Sequence, residues 1–295
     1  MSIGILTDST ADLKSDVLQN YNIEVIPLSV KFGDNTFTDG IDLKPGEFFD
    51  KMKEADRLPG TSQPSLALFK KKYQEMAGKY DSIISLHLSS GLSGTYSTAN
   101  IASRQLENID INTVDSSSIS LGLGFLTLLA AKMADNSYTV EEILETLEKA
   151  KEKLLLYFTV DEYKYMKQGG RIGKAKAFLG SMLNINPIIS ISTETGEVEP
   201  LGKTRGKKRT MNKMISLALD KLKGEKRAWI GFAHGDREDD MNRFKERLIN
   251  QIKEKKDIEV ETFTTRISST LGCHVGPSVY AGFILTGNYL RINKD

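Results

Sequence analysis

Short apolar runs alternate with amphipathic segments along the first half of the chain. The apolar runs predict buried strands at residues 3–6, 23–30, 83–88 and 112–114. The segments between them predict helices at residues 12–21, 45–53, 61–78, 95–107 and 119–134. Pro27 predicts an irregularity in the second strand, because proline cannot donate to the hydrogen-bond ladder. Strands alternating with helices predict a parallel sheet with helices on both faces.

The second half follows a long amphipathic helix predicted at residues 139–153, and we expect α/β domains at residues 1–153 and 154–295. Strands are predicted at residues 154–160, 188–192, 228–233 and 258–264. Helices are predicted at residues 207–223 and 239–255, with a further apolar helix after Pro277. Thr195-Gly196-Glu197 predicts a hairpin turn.

The composition excludes several classes of protein. The 295 residues include 40 basic and 39 acidic side chains, so the net charge of +1 does not indicate a nucleic-acid-binding surface. Cys273 is the only cysteine, which excludes an internal disulfide and is typical of a reducing compartment. The amino terminus lacks the basic start of a signal peptide, and the longest apolar stretch, residues 119–131, is too short to cross a bilayer. We therefore expect a soluble, cytoplasmic protein.

Four loops rich in Ser, Thr and Gly open predicted helices. They are TDST (7–10), TSQPS (61–65), SSGLSGT (89–95) and VDSSS (114–118). Ligands of open α/β sheets bind outside the carboxyl ends of the strands, and free N–H groups at a helix start suit an anion. Any one loop taken alone is better explained as an ordinary helix cap, but the four occur together and Gly91 and Gly94 are not needed for capping. We expect these glycines to let a ligand approach the backbone.

Other kinds of site find little support in the motifs. Neither G-x-x-x-x-G-K-[ST] nor an early G-x-G-x-x-G is present, which argues against a nucleotide site. The nucleophile motif G-x-S-x-G is absent, because residues 91–94 have the wrong spacing. No H-E-x-x-H or paired Cys/His pattern indicates zinc.

The three histidines, Arg171 and one cationic cluster are further candidate site residues. His87 lies within a strand and is expected to be a core residue. His234, at the end of a strand, is equally consistent with a structural role in the loop and with a functional role. His274, in a loop punctuated by Gly and Pro, is the best histidine candidate, and Arg171 follows two glycines that can aim it inward. Residues 203–209 carry five cations at a helix start, where they oppose the helix dipole. A phosphate-bearing or acidic partner would explain that arrangement.

Seven motifs occur in a fixed order along the chain. They are TDSTADL (7–13), TSQPS (61–65), SSGLSGTY (89–96), VDS (114–116), GGRI (169–172), PIIS with G-E-V-x-P-x-x-K-x-R (187–205) and LGCHVGP (271–277). From residue 3 to about residue 290 the chain thus resembles the DegV family, the fatty-acid-binding subunits of bacterial fatty acid kinase. The resemblance implies a two-domain α/β protein with one fatty acid buried between the domains.

The resemblance also implies the roles of individual residues. The fatty-acid carboxyl group would be bound by the residues Thr61, Ser62, Ser93, Gly94, Arg171 and His274. A separate kinase subunit would supply ATP and phosphorylate the bound acid, so the carrier would be no enzyme and hold no cofactor or metal. Arg171 and His274 would support phosphoryl transfer, and Lys203 and Arg205 would dock the kinase.

The energetics agree with such a division of roles. At about 0.8 kcal/mol per buried methylene, the tail of a C14–C18 acid supplies the affinity, whereas hydrogen bonds to the carboxyl group mainly offset its desolvation. We expect the tail tunnel among the apolar residues Phe178, Leu179, Met182, Leu183, Ile185, Ile188 and Ile189.

Two other functions remain open from the sequence. One is an autonomous small-molecule kinase of the dihydroxyacetone-kinase type, which would require an ATP site of its own. The other is a serine hydrolase that uses Ser93 as its nucleophile.

Overall fold

The first half contains a parallel sheet. The structure, a computed structural model, describes residues 2–178, 185–255 and 258–292. The strands of this half are β1 (Ile3–Asp8), β2 (Glu24–Ile26), β3 (Ser29–Phe32), β4 (Asn35–Thr38), β5 (Gly60–Ser62), β6 (Ser82–His87) and β7 (Asp110–Asp115). Its helices are α1 (Ser15–Asn20), α2 (Pro45–Glu54), α3 (Leu66–Ala77), α4 (Thr95–Arg104), α5 (Leu121–Asp135) and α6 (Val140–Lys153). Four strands, in the order β2-β1-β6-β7, pair in parallel as predicted.

The irregularity predicted at Pro27 divides one expected strand between two sheets. β2 pairs with β1 in the parallel sheet, whereas β3, two residues after Pro27, pairs with β4 and β5 in a three-stranded antiparallel sheet. The helix expected at residues 12–21 is shorter than predicted. A 3₁₀ turn at Ser9–Ala11 precedes it, and Asp12 then adopts a left-handed conformation with φ 52°.

The second half contains a mixed six-stranded sheet. Its strands are β8 (Leu154–Thr159), β9 (Asn186–Ile191), β10 (Val198–Thr204), β11 (Arg227–His234), β12 (Glu259–Arg266) and β13 (Tyr280–Thr286). Its helices are α7 (Lys164–Gln168), α8 (Lys207–Lys221), α9 (Glu238–Lys255) and α10 (Ser269–Val275). The strand order is β10-β9-β8-β13-β11-β12, and all neighbours are antiparallel except β11 and β12.

Two predictions near the carboxyl terminus were wrong. The apolar run after Pro277 is the central strand β13, not a helix, because a continuous buried run has no periodicity that separates the two. Gly282 in this strand leaves room for the Tyr157 and Phe244 rings. His274 lies in α10 and not in a loop, and the Ser268 hydroxyl caps this helix by accepting from the Leu271 N–H at 3.4 Å.

Helix α5 joins the two halves. It contacts β1 and β6 of the parallel sheet and also β8, β11 and β13 of the six-stranded sheet. Nearly every residue from Leu121 to Ala131 is apolar, as expected for a helix buried on all sides. Helices α3 and α4 contact β6, whereas α8 and α9 contact β13 of the other sheet. The fold is therefore a mixed α/β architecture. It contains a parallel sheet flanked by helices and, in the second half, a six-stranded sheet.

Candidate ligand-binding site

A cavity of about 580 Å³, including its open mouth, lies between the two halves. Its apolar lining comes from both, with Leu28, Leu88, Leu92 and Ile119 from the first half and Phe158, Met166, Ile191, Val198, Leu271 and Val275 from the second. Its polar lining residues are Thr61, Ser93, Arg171, Thr270 and His274. The structure thus brings together four of the residues that the sequence nominated.

A second chamber of about 300 Å³, a volume that includes its open side, lies directly beside this cavity. The two share four lining residues, Ile119, Phe158, Leu271 and Val275. Among the described residues, the only polar side chain that lines the second chamber is that of Ser120, and its hydroxyl donates to the Asp12 carboxyl at 2.5 Å. The polar lining residues are therefore concentrated in the first chamber, whereas the second is almost wholly apolar.

His274 meets Thr61 in the first chamber. The Nε2 atom of His274 lies 3.0 Å from the Thr61 hydroxyl, and its buried Nδ1 atom has no hydrogen-bond partner among the described residues. A side chain at Gly169 would collide with Nδ1, so the glycine is required for this ring position. Burial, reinforced by the nearby Arg171 guanidinium, lowers the pKa of His274 to about 4. The imidazole is therefore neutral at pH 7.

Arg171 brings positive charge to the same chamber. Its Nε donates to the Leu92 carbonyl at 3.2 Å and its Nη1 to the Gly169 carbonyl at 2.7 Å. Gly170, with φ +70°, provides the backbone turn that aims the side chain. In the described part of the chain Arg171 forms no ion pair with a carboxylate, so its charge is available to an anion.

Of the two serines nominated by the sequence, only Ser93 reaches the cavity. The Ser93 hydroxyl accepts from the Thr95 N–H at 3.3 Å and lies 2.9 Å from the Thr95 hydroxyl. Ser62 is paired with Ser29 at the end of β5 and is not among the described residues that line the cavity. Successive side chains of a strand point to opposite faces, so Thr61 faces His274 and Ser62 faces away.

Protein atoms fill the space beside the two glycines that the sequence assigned to ligand approach. A side chain at Gly91 would collide with the backbone of Thr195 and Gly196, which form the predicted hairpin turn between β9 and β10. The Ser89 hydroxyl also donates to the Gly196 carbonyl at 2.7 Å. A side chain at Gly94 would collide with Gln63. Both glycines therefore permit close packing of protein atoms, and their contact with a ligand stays a prediction.

Two of the four hydroxyl-rich loops support the loop at residues 89–95 instead of lining the cavity. The Asp8 carboxylate accepts from the Leu88 N–H at 2.9 Å, and Asp115 accepts from the Ser90 N–H at 3.2 Å. His87 lies 3.1 Å from Asp8 through Nδ1 and 2.7 Å from Ser85 through Nε2, which confirms it as a satisfied core residue.

Two buried carboxyl groups that sequence reasoning missed hold the start of α10. Asp39 accepts from the Ser269 N–H at 3.1 Å and the Thr270 N–H at 3.3 Å, and Asp12 accepts from the Ser268 N–H at 2.8 Å. Burial raises the pKa of both carboxyl groups, and that of Asp12 reaches about 8. The only sequence signal was their position in the turns TDST-AD and TDG, which gives no indication of a partner more than 200 residues away.

The tail tunnel predicted from the sequence is only partly testable. Leu179, Met182, Leu183 and the side chain of Phe178 lie outside the described residues. Ile188 packs on the opposite face of the six-stranded sheet, against Met214 and Ile215, so its assignment to the tunnel was wrong. Strands β8 and β13 instead contribute apolar side chains to the second chamber.

The cationic cluster lies away from the cavity. Lys203, Arg205 and Arg209 line a surface depression of about 820 Å³ together with Ile185 and Thr204. The cavity residue Val198 is on the same strand as Lys203, five residues earlier, which is about 17 Å along an extended chain.

His234 is buried at the end of β11, and its Nδ1 has no partner within the described residues. Burial lowers its pKa.

None of the helices formed by the described residues combines the length and apolar character of a membrane span. The same residues contain no group of three or more His, Cys, Asp or Glu side chains placed to hold a metal ion.

Fold and site together define a class of α/β proteins with a parallel sheet in one half, a mixed six-stranded sheet in the other, and a mainly apolar cavity with a few polar groups between the two halves. A family model described as "Uncharacterised protein, DegV family" matches residues 2–287. The chain therefore belongs to the DegV family, which confirms the resemblance seen in its motifs.

Relatives in this family align with nearly the whole length of this chain. Protein DegV of Bacillus subtilis (strain 168) is 32% identical over 277 residues, which cover 94% of this chain and 96% of the relative. A fatty-acid-binding DegV family protein from Thermus thermophilus has 30% identity and a TM-score of 0.90, covering 97% of this chain and 100% of its own. The fatty-acid-binding protein DegV from Bacillus subtilis has the same identity and coverage, with a TM-score of 0.89. These structures confirm the fold class.

Proposed function

We propose that the protein binds one long-chain fatty acid, of C14–C18, between domains formed by residues 1–153 and 154–295. The observation that carries this proposal is a mainly apolar cavity between the two halves that brings Thr61, Ser93, Arg171 and His274 together, with a second, almost wholly apolar chamber beside it. The carboxylate would lie among Thr61, Ser93, Arg171 and His274, and the tail would extend into the second chamber. The fatty-acid binding described for the Thermus thermophilus and Bacillus subtilis relatives supports the same ligand class.

The chemistry of the first chamber suits a carboxylate. Arg171 supplies a positive charge that no carboxylate of the described residues neutralises, and Thr61 and Ser93 supply hydroxyl donors. The neutral His274 can donate through one nitrogen, because neutral imidazole carries a single N–H. A bound carboxylate beside this ring would also favour its protonated form.

Lipid analysis of the purified protein tests this proposal. Native mass spectrometry is expected to show an added mass of a C14–C18 acid, and delipidated protein should take up palmitate or oleate. Shortening the ligand from C16 to C12 should weaken binding by about 3 kcal/mol, because four methylenes leave the cavity. A clean unliganded mass without any uptake would refute the proposal.

We further propose that the bound carboxyl group is presented to a separate kinase that supplies ATP. One carboxylate oxygen would attack the γ-phosphorus of ATP, and the bond from that phosphorus to the ADP oxygen would break. The product is an acyl phosphate with more negative charge than the acid, so the Arg171 cation stabilises the transition state more than the ground state. The absence of nucleotide-binding motifs from the sequence supports a carrier role in preference to an autonomous kinase.

Paired measurements of binding and turnover test the carrier role. Arg171→Ala and His274→Ala proteins should still bind fatty acid but support little acyl-phosphate formation with a kinase subunit and ATP. Parallel loss of both properties would make these residues structural, and full turnover would remove them from the mechanism.

The cationic cluster is the proposed docking surface for the kinase. The double variant Lys203→Glu/Arg205→Glu should weaken coupling mainly at low salt, because steering by exposed charges is screened. The double variant Lys71→Glu/Arg104→Glu reverses two exposed cations on α3 and α4 and serves as the control. Equal effects of both variants would argue against a specific docking surface.

A hydrolase finds no support in the contacts of Ser93. Its hydroxyl contacts Thr95, and among the described residues no histidine lies within hydrogen-bond distance to act as a base.

A further inference from the structure

The second chamber lies against the two central strands of the six-stranded sheet. β8 contributes Leu156 and Phe158, and β13 contributes Ala281 and Phe283. These residues are paired across the strands, Ala281 opposite Phe158 and Phe283 opposite Leu156. Side chains directly opposite each other on one face of a sheet have Cβ atoms about 5 Å apart. The two pairs together form one wall of the second chamber, here called its floor, and each pair is one step along the strands.

Ala281 is the small residue of this floor. It is 4% exposed, and its other cross-strand neighbour is Ala233 of β11. Phe158 lines both chambers, whereas Ala281 lines only the second chamber. Any larger side chain at position 281 would therefore occupy space in the second chamber beside Phe158.

We infer that Ala281 is a specificity-determining residue that sets the acyl chain length the protein accepts. This inference rests on the proposed fatty-acid binding and assigns the second chamber to the terminal carbons of the tail. Its small side chain keeps the passage beyond Phe158 open, and Phe283 and Leu156 form the next step of the floor. Acids short enough to end in the first chamber do not contact Ala281.

The dissociation constants of saturated acids from C10 to C18 test the inference. In the unmodified protein, affinity should rise about fourfold with each added methylene until the second chamber is filled. In Ala281→Val and Ala281→Leu proteins the rise should stop at a shorter chain, with the affinity for C10 unchanged. Ala233→Val is the matched control. It makes the same change one strand away on the same buried face, at a position that is not among the described lining residues, and should leave the length profile unchanged.

A variant of opposite effect keeps the test decisive if the larger side chains impair folding. Phe283→Leu enlarges the second chamber, so the rise in affinity should extend to longer acids. The inference is overturned if the profile breaks at the same chain length in the Ala281 and Phe283 variants as in the unmodified protein. Failure of every acid to bind to the unmodified protein would instead refute the proposed function. Failure of the inference and failure of the proposed function are therefore distinguishable.

Discussion

The two ends of helix α10 differ in the partners of their polar groups. At its start, the N–H groups of Ser268, Ser269 and Thr270 all donate to buried carboxyl groups of the first half. At its end, His274 contacts Thr61 through one nitrogen and leaves the other without a partner among the described residues. A buried polar group without a partner costs stability, and a ligand in the cavity would supply a partner for the His274 ring. The difference indicates that one end fixes the helix and the other serves the site.

The strongest test of this difference is the titration of Asp12. Its pKa is raised from 3.8 to about 8 in the folded protein, so the unfolded chain releases this proton at lower pH. Stability should therefore fall as pH rises from about 4 to 8, by on the order of 5 kcal/mol. Asp12→Asn keeps an acceptor for Ser268 and should remove this part of the pH dependence in urea unfolding. An unchanged pH profile would show that Asp12 is ionised in the folded protein.

Loss of the second carboxyl group should also destabilise the helix start. Asp39→Ala would leave two buried backbone N–H groups and the Ser9 hydroxyl without their acceptor, at a cost of about 3 to 5 kcal/mol. Urea unfolding measures the loss, and Asp39→Asn, which keeps one acceptor oxygen, is the milder control. Equal stability of the alanine variant and the unmodified protein would contradict the proposed anchoring.

The end of the helix should titrate in the opposite direction. His274 has a folded pKa of about 4 against an ordinary value of 6.5, so the unfolded chain takes up its proton first as pH falls. Stability should therefore decrease by about 3 kcal/mol between pH 6.5 and pH 4. His274→Gln should lack this contribution, and the difference between the two pH profiles isolates it from the carboxylates. Parallel profiles would mean that the ring is not buried as described.

The smallest expected effect concerns a single hydroxyl. Thr61→Val keeps the shape of the side chain but removes the oxygen beside His274, so fatty-acid binding should weaken by about 1 kcal/mol, or roughly fivefold. Ser62→Ala removes a hydroxyl one residue further on, outside the cavity lining, and should leave the dissociation constant unchanged. A larger loss at Ser62 than at Thr61 would reverse the assignment of the two faces of β5.

Local patterns predicted the elements of this fold better than the contacts between them. The alternation of apolar runs and helices gave the parallel sheet, and the loops and glycines nominated Thr61, Ser93, Arg171 and His274, which share one cavity. Strand β13 was missed because a fully buried run has no helical or strand period. Asp12 and Asp39 were missed because their partners on α10 are more than 200 residues away, and no local pattern encodes such a contact.

The position of α5 between the two sheets has a consequence for how the molecule loses its structure. Since one helix supplies core to both halves, neither half keeps a complete interior without the other. A fragment ending at residue 153 would expose the face of α5 that covers β11 and β13, and a fragment beginning at residue 154 would expose those strands. The chain should therefore unfold in a single cooperative transition, and the cavity should disappear in the same step as both sheets.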